Sequence, residues 1–289
     1  MTTSNSDHQL HNPMDLTARE LDHFTEIGKK AANAAGETHR SYFGKKIKVD
    51  DKNGDGPVTI ADKKAEEAMA SIILENFPSH AVFGEETGWT CKDKLSVPDF
   101  VWVLDPIDGT QSFIARRHDF GTLIALLYKG KPVLGIIDQP ILKERWVGVK
   151  GRRTTMNGEE ASVRTCEELK QAYAFLKDPH YNDDAKFSCD SLVYKVNQVF
   201  YDGNCMSYAL LASGFIDLIV DCALDPFDFL ALIPIVEGAG GIITDWEGRE
   251  LCWEVSPSLC SIPEGGFKVL ATGDKRIHEI VVLELSGNC

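Results

Sequence analysis

WVLDPIDGTQSF, residues 102–113, is the stretch on which the fold of this chain turns. Residues 101–104 are β-branched, aromatic or aliphatic and carry no charge, the composition of a buried strand. Asp105 follows at the carboxyl end, where α/β folds gather ligands. Pro106 has a fixed φ and no N–H, so it predicts a turn that ends strand pairing and swings Asp108 back toward Asp105. Two carboxylates that close are costly to keep ionised unless a cation lies between them. Gly109 and Thr110 then open a predicted helix start, whose free N–H groups suit a phosphate. Oxygen donors with no His or Cys beside them favour Mg²⁺ over Zn²⁺. Alone, the segment also reads as an ordinary polar turn, since Asp, Pro and Gly are all turn formers.

Three further acidic segments accompany it. AVFGEE (81–86) is a short apolar strand ending in Gly and two glutamates. PVTIAD (57–62) and DPFD (225–228) each lead into a helix. Thr59 with Asp62, and Asp225 with Asp228, fit the capping box, with Pro226 at the first helical position. Glu85 and Glu86 alone read as a solvated strand end. The order of all four segments carries more than any one of them.

GEE, then DPIDGT, then a helix-opening Asp followed by an apolar helix and GAGG, resembles the inositol monophosphatase-like Mg²⁺-dependent phosphatases over about residues 15–284. Residues 120–148 and 225–248 are similar to the branch that hydrolyses histidinol phosphate. The resemblance implies an α/β protein, a layered αβαβα sandwich with its site between the halves and two Mg²⁺ ions roughly 4 Å apart. Glu85, Asp105 and the carbonyl of Ile107 would hold the first ion; Asp105, Asp108 and Asp228 would hold the second. Asp62 would touch a third, weaker ion through water. Thr110 would orient the attacking water, with Thr59 and Asp62 behind it and Glu85 beside the reacting centre. Gly109 and Thr110 would seat the phosphate, and no phosphoenzyme is needed. Asp108, Asp228, Gly203, Asn204 and Asp221 would meet the substrate. Asp221 replaces a more usual Glu, Asn204 a more usual Asp, and Asp225 a frequent Lys of the histidinol-phosphate branch. Histidinol phosphate carries an ammonium and an imidazole, so Asp221 and Asp225 would face its cationic end, unless Asp225 serves only as the N-cap. Lithium sensitivity and a homodimer are also expected.

Composition agrees with a folded, globular chain. The chain has 289 residues, 43% hydrophobic and 26% charged, with a formal net charge of −14. That charge argues against nucleic-acid backbones as partners. Eight cysteines show no CxxC pair and no zinc spacing, and the N-terminus is polar, which predicts reduced thiols in a cytoplasmic protein. No apolar run reaches the length of a membrane span. DKNGDG (51–56) resembles part of a calcium loop but lacks the glutamate at position twelve. His118 and His278 have no metal-ligand company.

Periodicity predicts a polar tail at 1–14, an α+β half at 15–150 and an α/β half at 151–289. Helices are expected at 16–35 and 62–77, and strands at 81–84, 101–104, 122–128, 133–138 and 145–149. The last three are joined by turns too short for crossover helices, so they should be antiparallel. The second half predicts strands at 172–176, 199–202, 215–220, 241–246 and 269–272. Its helices are predicted at 185–198, 205–212, 227–237 and 276–285, the third kinked by Pro234.

The expected function is hydrolysis of histidinol phosphate. Inositol monophosphate, or a broad set of small phosphate esters, is the alternative. A ligand-binding protein without catalysis is the remaining class. Two phosphates on one substrate are disfavoured, since no second basic cluster is visible.

Overall fold

A computed structural model describes residues 16–51, 57–92, 97–255 and 262–286. The tail expected at 1–14, most of the DKNGDG segment, Cys260 and Cys289 lie outside the described residues. The elements of the first half are α1 (Ala18–Tyr42), β1 (Val49–Asp51), β2 (Pro57–Thr59), α2 (Ile60–Asn76), β3 (Ala81–Gly84), β4 (Gly88–Thr90), β5 (Phe100–Asp108), α3 (Thr110–Ile114), β6 (Gly121–Tyr128), β7 (Lys131–Gln139) and β8 (Glu144–Val149). Then come β9 (Thr155–Met156), β10 (Glu159–Glu160), β11 (Tyr173–Leu176), α4 (Asp183–Leu192), β12 (Gln198–Tyr201), α5 (Asn204–Ala212) and β13 (Leu218–Leu224). The chain continues through α6 (Pro226–Phe229), α7 (Leu232–Gly238), β14 (Ile242–Thr244), β15 (Phe267–Thr272) and α8 (Lys275–Leu285).

Alternation along β5 sets the layers. Trp102 and Leu104 point to one face, where Phe24, Ile27 and Ala31 of α1 and Ala65, Met69 and Ile73 of α2 cover them. Val101 and Val103 point to the other, into a core shared with α5, α6 and α7. That core also takes Ile219, Val269 and Ala271 from the second sheet. Leu218, Val220 and Leu270 face the far side, under α4 and α8. The result is the αβαβα sandwich. The first sheet runs β10-β9-β8-β7-β6-β5-β3-β4 and the second β12-β11-β13-β15-β14. The meander β6–β7–β8 is antiparallel, as expected. The first sheet does not stop at Lys150: β9 and β10 extend it to Glu160.

Helix α7 rests on a notch. A Cβ on Gly135 of β7 would fall 1.9 Å from the Ala231 carbonyl oxygen, and one on Gly148 of β8 would fall 2.4 Å from the Ile235 nitrogen. Only glycine lets backbone meet backbone this closely.

Several boundaries differ from expectation. Pro106 does not end the pairing of β5: the strand shifts register between Asp105 and Asp108 and pairs again at Asp108 with Gly121. The Pro106 carbonyl is taken by the Thr122 hydroxyl at 3.0 Å instead. The helix expected at 185–198 stops at Leu192, before Val193, Val196 and Asn197, all weak helix formers. The strand expected at 215–220 begins at Leu218 and runs to Leu224, because Asp217 is held in the preceding turn by Arg164. Asp221 is therefore mid-strand, not at a strand end. The helix expected at 227–237 is two helices. The break falls at Leu230–Ala231, and Leu230 is the residue whose carbonyl the Pro234 ring would strike. Helix α1 outlasts its expected end because Gly36 and His39 continue its buried face.

Candidate active site

Four elements deliver four acids to one place. Strands β3 and β5 are parallel, and the Glu85 N–H continues their pairing by donating to the Leu104 carbonyl at 3.1 Å. Glu85 thus stands beside Asp105. The register shift in β5 turns Asp108 to the same side. Asp228 arrives from α6, whose Asp225 N-cap donates its N–H to Asp228 Oδ2 at 2.7 Å. Pro226 takes the first helical position, as expected.

Asp105, Asp108 and Asp228 each offer one oxygen, and the three oxygens lie within 4.8 Å of one another. Asp105 is 2% exposed. Burial, then the neighbouring charges of Glu85, Asp108 and Asp228, holds its carboxyl well above the usual range. Asp228 is raised for the same reasons, burial first and Asp108 next. Burial also pushes Asp108 up to about 6, against hydrogen bonding from Cys205. Acids so placed either take up protons or share a cation. Asp105 Oδ1 is buried with no hydrogen-bond partner among the described residues. A hard divalent ion fits that orphaned oxygen and this all-oxygen donor set.

Supporting contacts surround the acids. The Thr110 hydroxyl lies 3.0 Å from the Ile107 carbonyl oxygen and 3.2 Å from Asp62 Oδ1. Asp62 Oδ2 accepts the Thr59 hydroxyl at 2.6 Å and the Thr59 N–H at 2.8 Å. The capping box expected from sequence is therefore present, and it also aims Asp62 at Thr110. Gly109 has φ +87°, and a Cβ there would fall 2.7 Å from Asn204 Nδ2. Asn204 packs on this turn and donates to the Asp119 carbonyl at 2.8 Å. Gly203 precedes α5, and Asp221 faces the same cleft.

Sequence reading missed two groups here. Glu66, buried on α2, accepts the N–H groups of Glu86 at 2.8 Å and Thr87 at 2.9 Å, and the Thr87 hydroxyl at 2.5 Å. A Cβ on Gly84 would fall 2.3 Å from its carboxyl carbon. A charged residue next to Ala65 on the buried face of α2 was the available signal. The second group is Lys177, Tyr181, Asp202 and Tyr208, which line the cleft of about 220 Å³ that contains Glu85, Asp108 and Asp228. These come from loops and strand ends, and no motif marks them.

Residues 20–278 match the model of the inositol monophosphatase family. The chain belongs to that family. It is 54% identical over 268 residues to a protein of Arabidopsis thaliana named bifunctional phosphatase IMPL2, chloroplastic, covering 92% of this chain and 76% of that one. It is 35% identical over 228 residues to the histidinol-phosphatase of Chlorobaculum parvum, covering 78% and 86%. Its fold superposes on an inositol monophosphatase of Zymomonas mobilis with a TM-score of 0.79 at 38% identity, covering 94% of this chain and all of that one. As an inositol monophosphatase-family member the protein is a metal-dependent phosphatase acting on small phosphate esters. No helix among the described residues is long and apolar enough to cross a membrane. Six described cysteines are free thiols.

Proposed function

We propose that this family member is a magnesium-dependent phosphomonoesterase whose preferred substrate is histidinol phosphate. The observation that carries the reading is the convergence of Asp105, Asp108 and Asp228 oxygens beside a cleft lined by a further acid, Asp202. Two Mg²⁺ ions, when bound, would activate a water and offset charge on the phosphate and the departing alkoxide. Glu85, Asp105 and the Ile107 carbonyl would hold one, and Asp105, Asp108 and Asp228 the other. Asp62 would reach a third through water. Thr110, fixed by Asp62 and Thr59, would orient the attacking water in line with phosphorus. The N–H groups of Gly109 and Thr110 would hold phosphate oxygens. The wall formed by Gly203, Asn204 and Asp221 would face the leaving alcohol.

The naming of the Chlorobaculum relative supports histidinol phosphate. The Zymomonas structure, at 38% identity, supports inositol monophosphate as the second reading. The Arabidopsis relative is called bifunctional, which fits a cleft that serves more than one ester. Its name also sets a plastid beside the cytoplasm as a compartment to test by tagging. A homodimer is expected and is checked by sedimentation. The decisive experiment compares phosphate release from histidinol phosphate and inositol 1-phosphate, with and without magnesium. A higher kcat/KM for histidinol phosphate supports the proposal, and a preference for inositol 1-phosphate replaces it with the second reading.

A further inference from the structure

Asp221, expected from sequence to face a substrate cation, already has a cation of its own. Lys177 follows β11 and Asp221 lies on the neighbouring parallel strand β13. The pairing of Leu176 with Val220 sets them side by side, and the Lys177 N–H donates to the Val220 carbonyl at 3.1 Å. Lys177 Nζ lies 3.4 Å from Asp221 Oδ1, with both side chains more than four-fifths buried. The same ammonium sits 4.7 Å from the centre of the Tyr181 ring. Burial opposes the charge on Lys177, but Asp221, Tyr181 and Asp202 outweigh it and raise its pKa above the ordinary value. Asp221 also accepts the Cys222 N–H at 2.9 Å. The register of the sheet makes this a standing neutral pair. A second ammonium brought to Asp221 would meet Lys177 first.

Asp202 is differently placed. It lines both the cleft at the acids and the adjoining one at Gly109 and Thr110. It is exposed, and its φ of +52° is uncommon for a residue other than glycine. Its carboxylate accepts one long described hydrogen bond, from the Asp178 N–H at 3.3 Å. Lys177 therefore stands between two carboxylates and satisfies the inner one. Of the carboxylates on this wall, Asp221 is paired with Lys177 and Asp225 is the N-cap of α6, which leaves Asp202.

We propose that Lys177 and Asp202 determine specificity: Lys177 neutralises Asp221, and Asp202 is the acid that receives a cationic leaving alcohol. This rests on the phosphomonoesterase reading. The measured quantity is the ratio of kcat/KM for histidinol phosphate to that for the uncharged-alcohol ester p-nitrophenyl phosphate, in magnesium. Asp202→Asn should lower the ratio about 5–10-fold, the loss expected for one charge-assisted contact. Asp221→Asn should change it less than about twofold. Lys177→Met should raise it, because Asp221 is then released to attract cations. The charge-balanced pair Lys177→Met with Asp221→Asn should keep the wild-type ratio and guards against misfolding of the single variant. Calorimetric affinity for L-histidinol should follow the same order. A ratio that falls with Asp221→Asn and not with Asp202→Asn overturns the proposal, as does a fall with Lys177→Met. If the wild type hydrolyses p-nitrophenyl phosphate and the ratios do not move, the phosphatase reading stands and this one fails. If it hydrolyses neither ester, both fail.

Discussion

The backbone N–H of Cys205 donates to Oδ2 of Asp108. One partner opens α5 in the second half of the chain; the other ends β5 in the first. The amino end of a helix thus fixes the orientation of an acid that must otherwise stand among like charges, where its positive end is favourable. One contact thus belongs both to the site and to the packing of the second half on the first.

Asp105→Asn should lower magnesium-dependent release of phosphate from p-nitrophenyl phosphate at least ~100-fold, since the shared acid would lose its charge and one of its two bridging oxygens. The circular dichroism spectrum should not change. Turnover within a few-fold of wild type would sink the assignment of Asp105 as the bridge.

Magnesium should stabilise the folded chain. At a hundredfold excess over its dissociation constant, an ion that binds only the folded state contributes about 2.7 kcal/mol. For a chain of this size that is a rise in Tm of roughly 4–5 °C. Asp228→Asn should reduce the rise. A Tm indifferent to saturating magnesium in the wild type contradicts the site.

Glu66→Ala should act at a distance through the Glu85 turn. It leaves the N–H groups of Glu86 and Thr87, in a half-exposed turn, without their acceptor, at a cost of about 1 kcal/mol. Magnesium affinity, measured by the concentration that half-activates the enzyme, should weaken, and Glu66→Gln should restore part of it. An unchanged magnesium response would make Glu66 a purely structural residue.

His80 should steepen acid unfolding. It lies stacked between Phe77 and Phe100, each 4.6 Å away, and its Nδ1 accepts from Trp102 Nε1 at 3.1 Å. Burial lowers its pKa from 6.5 to about 4. The unfolded chain therefore binds a proton more readily than the folded one, and stability is lost as pH falls from about 6.5 toward 4. The neutral-form preference contributes at most ~3 kcal/mol above that window. His39, pushed down to about 3 chiefly by burial, acts in the same sense. His80→Gln should flatten the stability–pH curve between pH 4 and 6.5; an identical slope would show that His80 takes no part.

The acids were legible because each ends or opens an element, and strand ends and caps leave marks in composition. Asp62 and Asp228 were read as caps and as ligands, and the geometry lets both stand together: capping aims the carboxylate. Pro106 misled because a proline usually stops a ladder, while here the missing N–H falls where the register shifts. Lys177 was illegible. Its importance comes from the pairing of β11 with β13, and strand order is a property of the whole chain. Glu66 was half legible, as a charge on a buried face whose partner lies twenty residues on.

The two glycines beneath α7 have a further consequence. They put the Ala231 carbonyl and the Ile235 amide within methyl distance of the sheet, and α7 follows directly on the helix that presents Asp228. A helix seated in this way has no room to slide, so the height of Asp228 over Asp105 is set by the thickness of bare backbone. The spacing of the acids thus depends on positions that touch none of them: a methyl added at Gly135, 1.9 Å from the Ala231 carbonyl oxygen, would have to lift α7 from the sheet and carry Asp228 with it.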